Sequence, residues 1–306
     1  MHMLILRKIA HGLLSIIGAS IVVFLISRMS GDPTTLLLPM NAPPDVMAAK
    51  RAELGLDQPL WWQYLIFAKN AVTGDFSHSY RWNEPALGLV LQRLPATIEL
   101  ACAAMLFSLT VALPFGVLSA VYRGGWIDRF GKVFAMLGQA MPNFWIGLVM
   151  ILIFSISFRW FPAYGRGTLA HLVLPAIALG WYPVAAMTRI IRSGMLDVLD
   201  ADYIRMARAV GAPKPVLIWK YALRNAAIPL VTVLGVYFAA SLGGAFVVES
   251  VFAWPGLGRM VVEAVFARDF PVVQAGVLVI SVLFVVTNIL VDLSYGIIDP
   301  RIRHDR

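Results

Sequence analysis

Charge is scarce in this sequence and cysteine is nearly absent. Lys, Arg, Asp and Glu together make up 14% of the 306 residues, against about 25% in soluble chains. The single cysteine, Cys102, excludes a disulfide within the chain, and its place in an apolar run marks it as a packed thiol. Signatures of catalysis are missing as well. There is no G-x-x-x-x-G-K-[ST] loop to cradle a nucleotide's phosphates, so ATP hydrolysis by that route is excluded. There is no H-E-x-x-H or G-x-S-x-G, and His2, His11, His78, His171 and His304 are scattered without ligand spacing. No catalytic centre, metal site or cofactor site is therefore expected on this chain.

What is present in excess is apolar sequence: 59% of residues, with a mean hydropathy of +0.77. It comes in blocks long enough to cross a bilayer, which takes roughly 20 residues of helix. The blocks are Ile9–Ser27, Leu94–Tyr122, Val133–Phe158, Leu172–Thr188, Asn225–Val248 and Phe270–Val291. In lipid each backbone polar group must be satisfied within its own segment or in a closed barrel. A barrel would show alternating ten-residue segments instead. The expected fold is all-α, with six transmembrane helices. Arg7 and Lys8 before the first block fit a secretory leader. The block is a full span long without a clean small-x-small boundary, so it is read as a retained first helix.

The formal charge of +8 is unevenly distributed. With the N-terminus inside, the segments on that side are 1–8, 123–132, 189–224 and 292–306. They hold fifteen of the 25 Lys and Arg but seven of the 17 acids, so the whole net charge lies on one face. The positive-inside rule makes that face cytoplasmic. Nucleic acid is not needed to explain the basicity, because the cations are spread over loops flanking the spans.

Two connections are too long to be simple links. The first, 31–93, follows the N-terminal helix of 1–30 and is expected to cap the outer membrane surface. Turn signals "GDP" and "NAPPD" open it, a short helix closes at Glu53-Leu54-Gly55, and "PLWWQYLIFAKNAV" forms a second helix. Trp61, Trp62, Tyr64 and Phe67 suit the headgroup level. The remaining 94–306 forms a five-helix core containing the second long loop, 189–224. There Leu199, Tyr203, Met206 and Val210 recur at helical spacing, with Arg205 and Arg208 facing away. Gly211 stops this helix as a left-handed cap. Pro213 prevents an immediate restart, and Pro215 suits the first turn of a second helix carrying Trp219, Lys220, Leu223 and Arg224. An L-shaped amphipathic projection of this kind must bury its apolar side on its own bundle, on lipid or in a partner's groove.

The stretch "DYIRMARAVGAPKPVLIWKYALRNAAIP", 202–229, resembles the EAA motif of binding-protein-dependent ABC import permeases in its dipeptide/oligopeptide branch. Arg205-Met206-Ala207 stands where the motif has Glu-Ala-Ala, and Gly211 holds the glycine position. Leu223-Arg224 replaces the later Leu-Pro, so that proline is absent. "LGLDQPLWWQY", "GDFSHSY", "RLPATIEL", "ESVFAWPGLG" and "DPRIR" (Asp299 to Arg303) also fall in the branch's order, so the resemblance covers nearly the whole chain. It implies the fold of a type I ABC importer permease and the role of the first ("B"-type) of two permease subunits in a bacterial inner membrane, both termini cytoplasmic. It implies as partners a second homologous permease, two ATPase subunits that bind ATP and Mg, and an external solute-binding protein. The 202–224 projection then looks like a coupling helix. Ala207, Arg208, Val210, Gly211 and Ala212 would form its contact tip on the ATPase, flanked by Asp202 and Arg205. Small residues there would permit close approach, and the arginine would meet an acidic rim.

Polar groups inside spans face cavities or partner helices more often than lipid. Glu99, Gln139, Asn143, Thr232, Ser241, Gln274, Asn288 and Asp292 are such groups. Of these Glu99, Gln139, Asn143 and Ser241, with Glu249 and Trp254 at the outer mouth, are candidates to line the pathway, although packing or interfacial roles stand beside it for each. "SLGGAF", Ser241 to Phe246, offers small residues for close helix contact or for a gate. Pro95 and Pro142 are expected to kink their helices. The branch carries di- and oligopeptides, and its relatives carry nickel chelates, glutathione or sugar-like solutes. A rival of another class, an ion-coupled secondary transporter, would show inverted repeats and several midplane ionisable residues.

Overall fold

The apolar blocks fold as helices throughout. A computed structural model describes residues 2–298 except 32, 35–37, 40 and 41. Among the described residues the helices are, in order, α1 (His2–Met29), α2 (Pro44–Glu53), α3 (Leu60–Thr73), α4 (Ala86–Val121), α5 (Trp126–Ala140), α6 (Asn143–Met150), α7 (Leu169–Leu199), α8 (Asp202–Ala209), α9 (Leu223–Ala226), α10 (Ile228–Gly244), α11 (Phe246–Val251), α12 (Leu257–Phe266) and α13 (Phe270–Ile298). Wider π-type turns extend α6 over Ile151–Ser157 and precede α9 over Val216–Ala222. The described residues contain no β-strand, only an isolated bridge between His78 and Pro85.

Four of these helices are long and apolar enough to span a bilayer unaided: Leu6–Met29, Ala86–Val121, Leu169–Leu199 and Phe270–Val291. The other two expected spans are broken. Trp126–Ala140 and Asn143–Ser157 meet at 105°, and Val216–Ala226 and Pro229–Gly244 at 58°. The first break is sharper than the expected kink, and proline is its cause. Pro142 forces the residue before it out of the helical region, and Met141 and Pro142 both lie extended (ψ 126° and 141°) before α6 begins. Pro95, by contrast, is carried inside α4, which starts at Ala86 rather than at residue 94. At 36 residues α4 is roughly 54 Å long, well beyond a hydrocarbon core of about 30 Å.

The chain divides into two compact units, with α4 and α13 supplying residues to both. The first comprises, among the described residues, Ile98–Trp254 and Val286–Ile298. Its core gathers Met187, Ile191 and Met195 of α7 with Met105, Ala112 and Val117 of α4, and adds Ile204, Ala222, Ala226 and Leu230. α4 and α7 touch almost backbone to backbone. Ser108 donates to the carbonyls of Ala104 (2.6 Å) and Gly180 (2.9 Å). A Cβ at Gly180 would stand 2.7 Å from the Ala104 oxygen. Small residues permit such contact in lipid, where dispersion and hydrogen bonds rather than water exclusion hold helices together. Gly180→Val should therefore separate α4 from α7 and cost about 1–3 kcal/mol or more, read as lost yield and a lower melting temperature in detergent. A variant melting with the wild type would contradict this contact.

α5 shows how lipid inverts the usual pattern. Its apolar Trp126, Phe130, Val133, Met136 and Leu137 are exposed, whereas Asp128, Gly131 and Gly138 are buried. A water-soluble helix would do the reverse.

The second unit comprises His2–Thr97 and Pro255–Val285. Val23, Ala86, Val90, Leu257, Met260, Val272 and Val273 form its core. The expected helices of the 31–93 segment are present as α2 and α3, with Gly55 (φ +65°) and Gly74 (φ +79°) left-handed behind them. The four α3 aromatics do not share one environment. Trp61 and Trp62 are exposed. Tyr64 and Phe67 instead pack on Phe24 of α1, at ring centroids of 5.5 and 5.6 Å, and the Tyr64 hydroxyl lies 2.9 Å from that of Ser20. The 77–81 turn is tied down by buried Asp269, whose carboxylate accepts from the Ser79 hydroxyl and from the Tyr80 N–H (3.1 Å).

Candidate functional site

α8 is short, and its ends explain it. Asp202 in the first turn and Arg208 in the last complement the helix dipole. The Ala212 N–H then reaches back to the Ala207 carbonyl and the Gly211 N–H to that of Arg208, both at 3.1 Å. With Gly211 at φ +86°, this is the six-to-one, five-to-two pair of a Schellman cap. The corner expected from sequence is therefore present. Pro213 and Pro215 follow, and the chain rewinds with π-type turns in which Leu217 and Ala222, five residues apart, both face inward.

The apolar series expected along α8 divides between core and surface. Ile204 enters the core fully buried and Leu199 packs against the same cluster. Met206 is 75% exposed and Val210 83% exposed. Asn225 donates to the Tyr203 hydroxyl at 2.9 Å, fastening the returning arm to α8. The projection is thus anchored at Ile204 and Asn225 and presents an unpartnered apolar tip. Ala207, Gly211 and Ala212 keep that tip thin, and nothing lies within 4 Å of a Cβ built on Gly211. Arg205 contacts Asp202 at 3.4 Å and donates to the Asp200 carbonyl, whereas Arg208 makes no ion pair among the described residues. An exposed apolar cluster rimmed by cations fits a partner groove with an apolar floor and acidic edge.

A buried ionic junction supports this region, and the sequence did not announce it. Asp128 of α5 is fully buried and takes Arg192 of α7 in a two-pronged bond, Nε at 2.6 Å and Nη2 at 3.1 Å. Lys132 at 3.0 Å and the Gly124 N–H at 3.0 Å complete its shell. The signal available was one acid among Arg123, Arg129 and Lys132. Its main partner lies 64 residues away, beyond any local pattern.

The candidate pathway residues fall into separate places. Glu99 receives Nε (2.8 Å) and Nη2 of Arg166, whose guanidinium also lies 5.9 Å from the ring centroid of Trp254. Arg166, from the loop before α7, was not anticipated. Trp254 and Glu249 are fully buried, and the Trp254 N–H donates to the Glu249 carbonyl at 2.8 Å. Gln139 accepts from Arg189 at 3.3 Å, and Asn143 opens α6 beyond the 105° bend. Ser241 is buried and its hydroxyl bonds back to the Tyr237 carbonyl. Gly244 has nothing within 4 Å of a built Cβ, so "SLGGAF" makes no close contact there. Thr232 is exposed, and Gln274 lines a cavity in the second unit. The Asp292 side chain and "DPRIR" lie outside the described residues. Among the described residues no cluster of His, Cys, Asp or Glu could hold a metal ion.

Apolar spans, two of them broken, and an anchored projection with an exposed apolar tip define a multi-span helical membrane protein with a projecting arm. The chain belongs to the family described as the binding-protein-dependent transport system inner membrane component, which matches residues 112–304. The family's N-terminal membrane region matches residues 1–101. It is 39% identical to the dipeptide transport system permease protein DppB of Alkalihalophilus pseudofirmus, over 94% of this chain and 96% of that protein. The Escherichia coli K12 protein of the same name is 38% identical over 99% of both chains. The glutathione transport system permease protein GsiC of Escherichia coli K12 is 40% identical over 93% of this chain and 94% of that one. The chain is accordingly a permease subunit, multi-pass in the inner membrane.

Proposed function

We propose that this chain forms half of the translocation pathway of an ATP-driven importer for di- or oligopeptides. A second homologous permease supplies the other half. Two ATPase subunits, which bind ATP and Mg, dock on the 202–224 projection from the cytoplasm, and an external binding protein delivers the solute. Both termini are cytoplasmic in this reading, as the basic loops require. The observation that carries the proposal is the anchored projection with Met206 and Val210 exposed at its tip.

ATP-driven closure of the ATPases would move that tip. Ile204 packs in one cluster with Ile191 and Met195 of α7 and with Met105 of α4, so the displacement enters the helix bundle directly. A packed core answers such a push by switching between discrete arrangements rather than by bending smoothly. Glu99, Arg166 and Trp254, with Glu249, form the outer gate, and Gln139 and Asn143 line the pathway at the 105° bend. Peptide is the substrate class favoured by the DppB relatives, and glutathione, the second reading by way of GsiC, is itself a tripeptide.

The test is to purify the chain gently from its host membranes by a C-terminal tag and identify what accompanies it. Two ATPase copies and a second six-span chain are expected. Met206→Asp with Val210→Asp should remove the ATPases while leaving the second permease. Recovery of the chain alone, active with an ion gradient, would instead establish the secondary transporter.

A further inference from the structure

α7 is the most enclosed of the unbroken spans, with α5, α6 and α10 packed along it. What it leaves open is informative. Past Leu169 at its start, the exposed residues of α7 are Tyr182, Arg189, Ser193 and Asp197, all of them polar. Their spacing of seven, four and four keeps them on one stripe. A face turned to acyl chains looks like that of α5, with Trp126, Phe130, Val133 and Met136 exposed. A polar stripe on an apolar span faces water or solute instead.

Arg189 is the cation of that stripe, and it reaches deep. Its guanidinium donates to the Gln139 Oε1 at 3.3 Å. From Trp126 to Gln139 the α5 helix rises about 20 Å, and Gln139 stands just before the corner that breaks the Trp126–Ser157 span midway. The depth is fixed by the neighbouring Gly138, where a Cβ would stand 2.6 Å from that of Ala185 on α7. Lys132 and Arg192, on the same two helices, are both taken up by Asp128. Arg189 has no such carboxylate among the described residues. One neutral amide oxygen leaves most of the five donors of its fork open. Beside it, Tyr182 meets Tyr237 of α10 edge to face at a ring-centroid distance of 5.7 Å, and Tyr237 lies within electrostatic reach of Arg189. An accessible guanidinium next to two phenols suits a small carboxylate with an amide and a short side chain behind it.

We propose that Arg189 takes the C-terminal carboxylate of the peptide as it crosses the bundle, with the Tyr182–Tyr237 pair against the peptide backbone. The assignment deepens the peptide-import reading and rests on it. A planar fork grips a carboxylate in two parallel bonds, and because the pair stays open to water it is weak enough to release its load. Ser193 and Asp197 continue the polar stripe toward the end of α7 that leads into the projection.

The experiment uses the transporter purified with the partners it retains, in phosphatidylethanolamine–phosphatidylglycerol vesicles with ATP inside. L-alanyl-L-alanine and the external binding protein are supplied outside. Arg189→Gln should lower dialanine uptake about tenfold or more, as the loss of one charged hydrogen bond implies. ATP hydrolysis stimulated by the loaded binding protein, and the melting temperature, should stay near those of the wild type. Arg189→Lys keeps the charge and should retain most uptake. Gln139→Glu supplies a rival carboxylate from within and should depress uptake by a similar factor without lowering the melting temperature. It also serves if Arg189→Gln does not assemble. A purely structural Arg189 would behave oppositely, since the new ion pair would strengthen the packing and leave uptake intact. Undiminished uptake by Arg189→Gln or by Gln139→Glu would overturn the assignment. So would an Arg189→Gln defect that vanishes in vesicles without phosphatidylglycerol, which would give Arg189 to lipid phosphate. A wild type without ATP-dependent dialanine uptake would defeat the import reading itself, and this assignment with it.

Discussion

Gly211→Glu is expected to leave the chain folded and inserted while abolishing most transport. The glycine stands at φ +86°, where a glutamate is strained, and nothing lies within 4 Å of a Cβ built on it. The strain of roughly 1–2 kcal/mol is therefore local and should not propagate into the core. Docking should suffer far more. A glutamate at the tip puts bulk where close approach is needed, and a negative charge where the cations around it would meet an acidic rim. Loss of a central contact of this kind costs about 2 kcal/mol or more, roughly thirtyfold in affinity. Uptake should fall by at least that factor, and ATP hydrolysis should no longer respond to solute. Asparagine tolerates the left-handed conformation, so Gly211→Asn separates backbone strain from docking and should retain much of the activity. Normal uptake by Gly211→Glu would show that this corner does not couple the ATPases to the bundle.

The second large effect is expected at Asp128. Asp128→Asn preserves shape and can still accept from the Gly124 N–H, but it leaves Arg192 beside a neutral amide with Lys132 close by. Removing one partner of a fully buried pair typically costs about 3–5 kcal/mol; Arg192 keeps 21% of its side chain exposed, so the loss should lie toward the lower end. Arg192→Lys should be milder, since lysine keeps the charge but not the two-pronged geometry. Thermal unfolding in detergent measures both. The wild-type transition should hardly respond to added salt, because a buried pair is poorly screened. An Asp128→Asn variant that melts where the wild type does would show the junction to be dispensable. The junction links α5 to α7, and α7 runs into the projection, so destabilised variants should also transport poorly.

Much of this was legible along the chain because it depends on neighbours in sequence. A run of about 20 apolar residues has few options in lipid. The turn at Gly211 was readable for the same reason. A helix closed by a left-handed glycine and followed by two prolines is a local event, and the Schellman bonds lie within six residues. Motif order along 202–229 and five other segments likewise pointed to the family.

Other features arise between distant residues, where local pattern is silent. Helical periodicity put Met206 and Val210 on an apolar face with the bundle, lipid and a partner's groove all open as its cover, and only the packing shows that Ile204 fills the core while those two stay exposed. Pro142 announced a bend, yet its 105° corner depends on how α5 and α6 pack separately, α5 on α7 with its lipid face turned out. The pairing of Asp128 with Arg192 across 64 residues, and of Glu99 with Arg166 across 67, could be chosen only once the helices were assembled. The sequence by itself determined the number of apolar spans, the charge asymmetry and the projecting corner, because short-range sterics and the bilayer leave each segment one solution. Only the tertiary structure decided which side chains of that corner are buried and which charges meet, because close packing, unlike periodicity, depends on every facing residue at once.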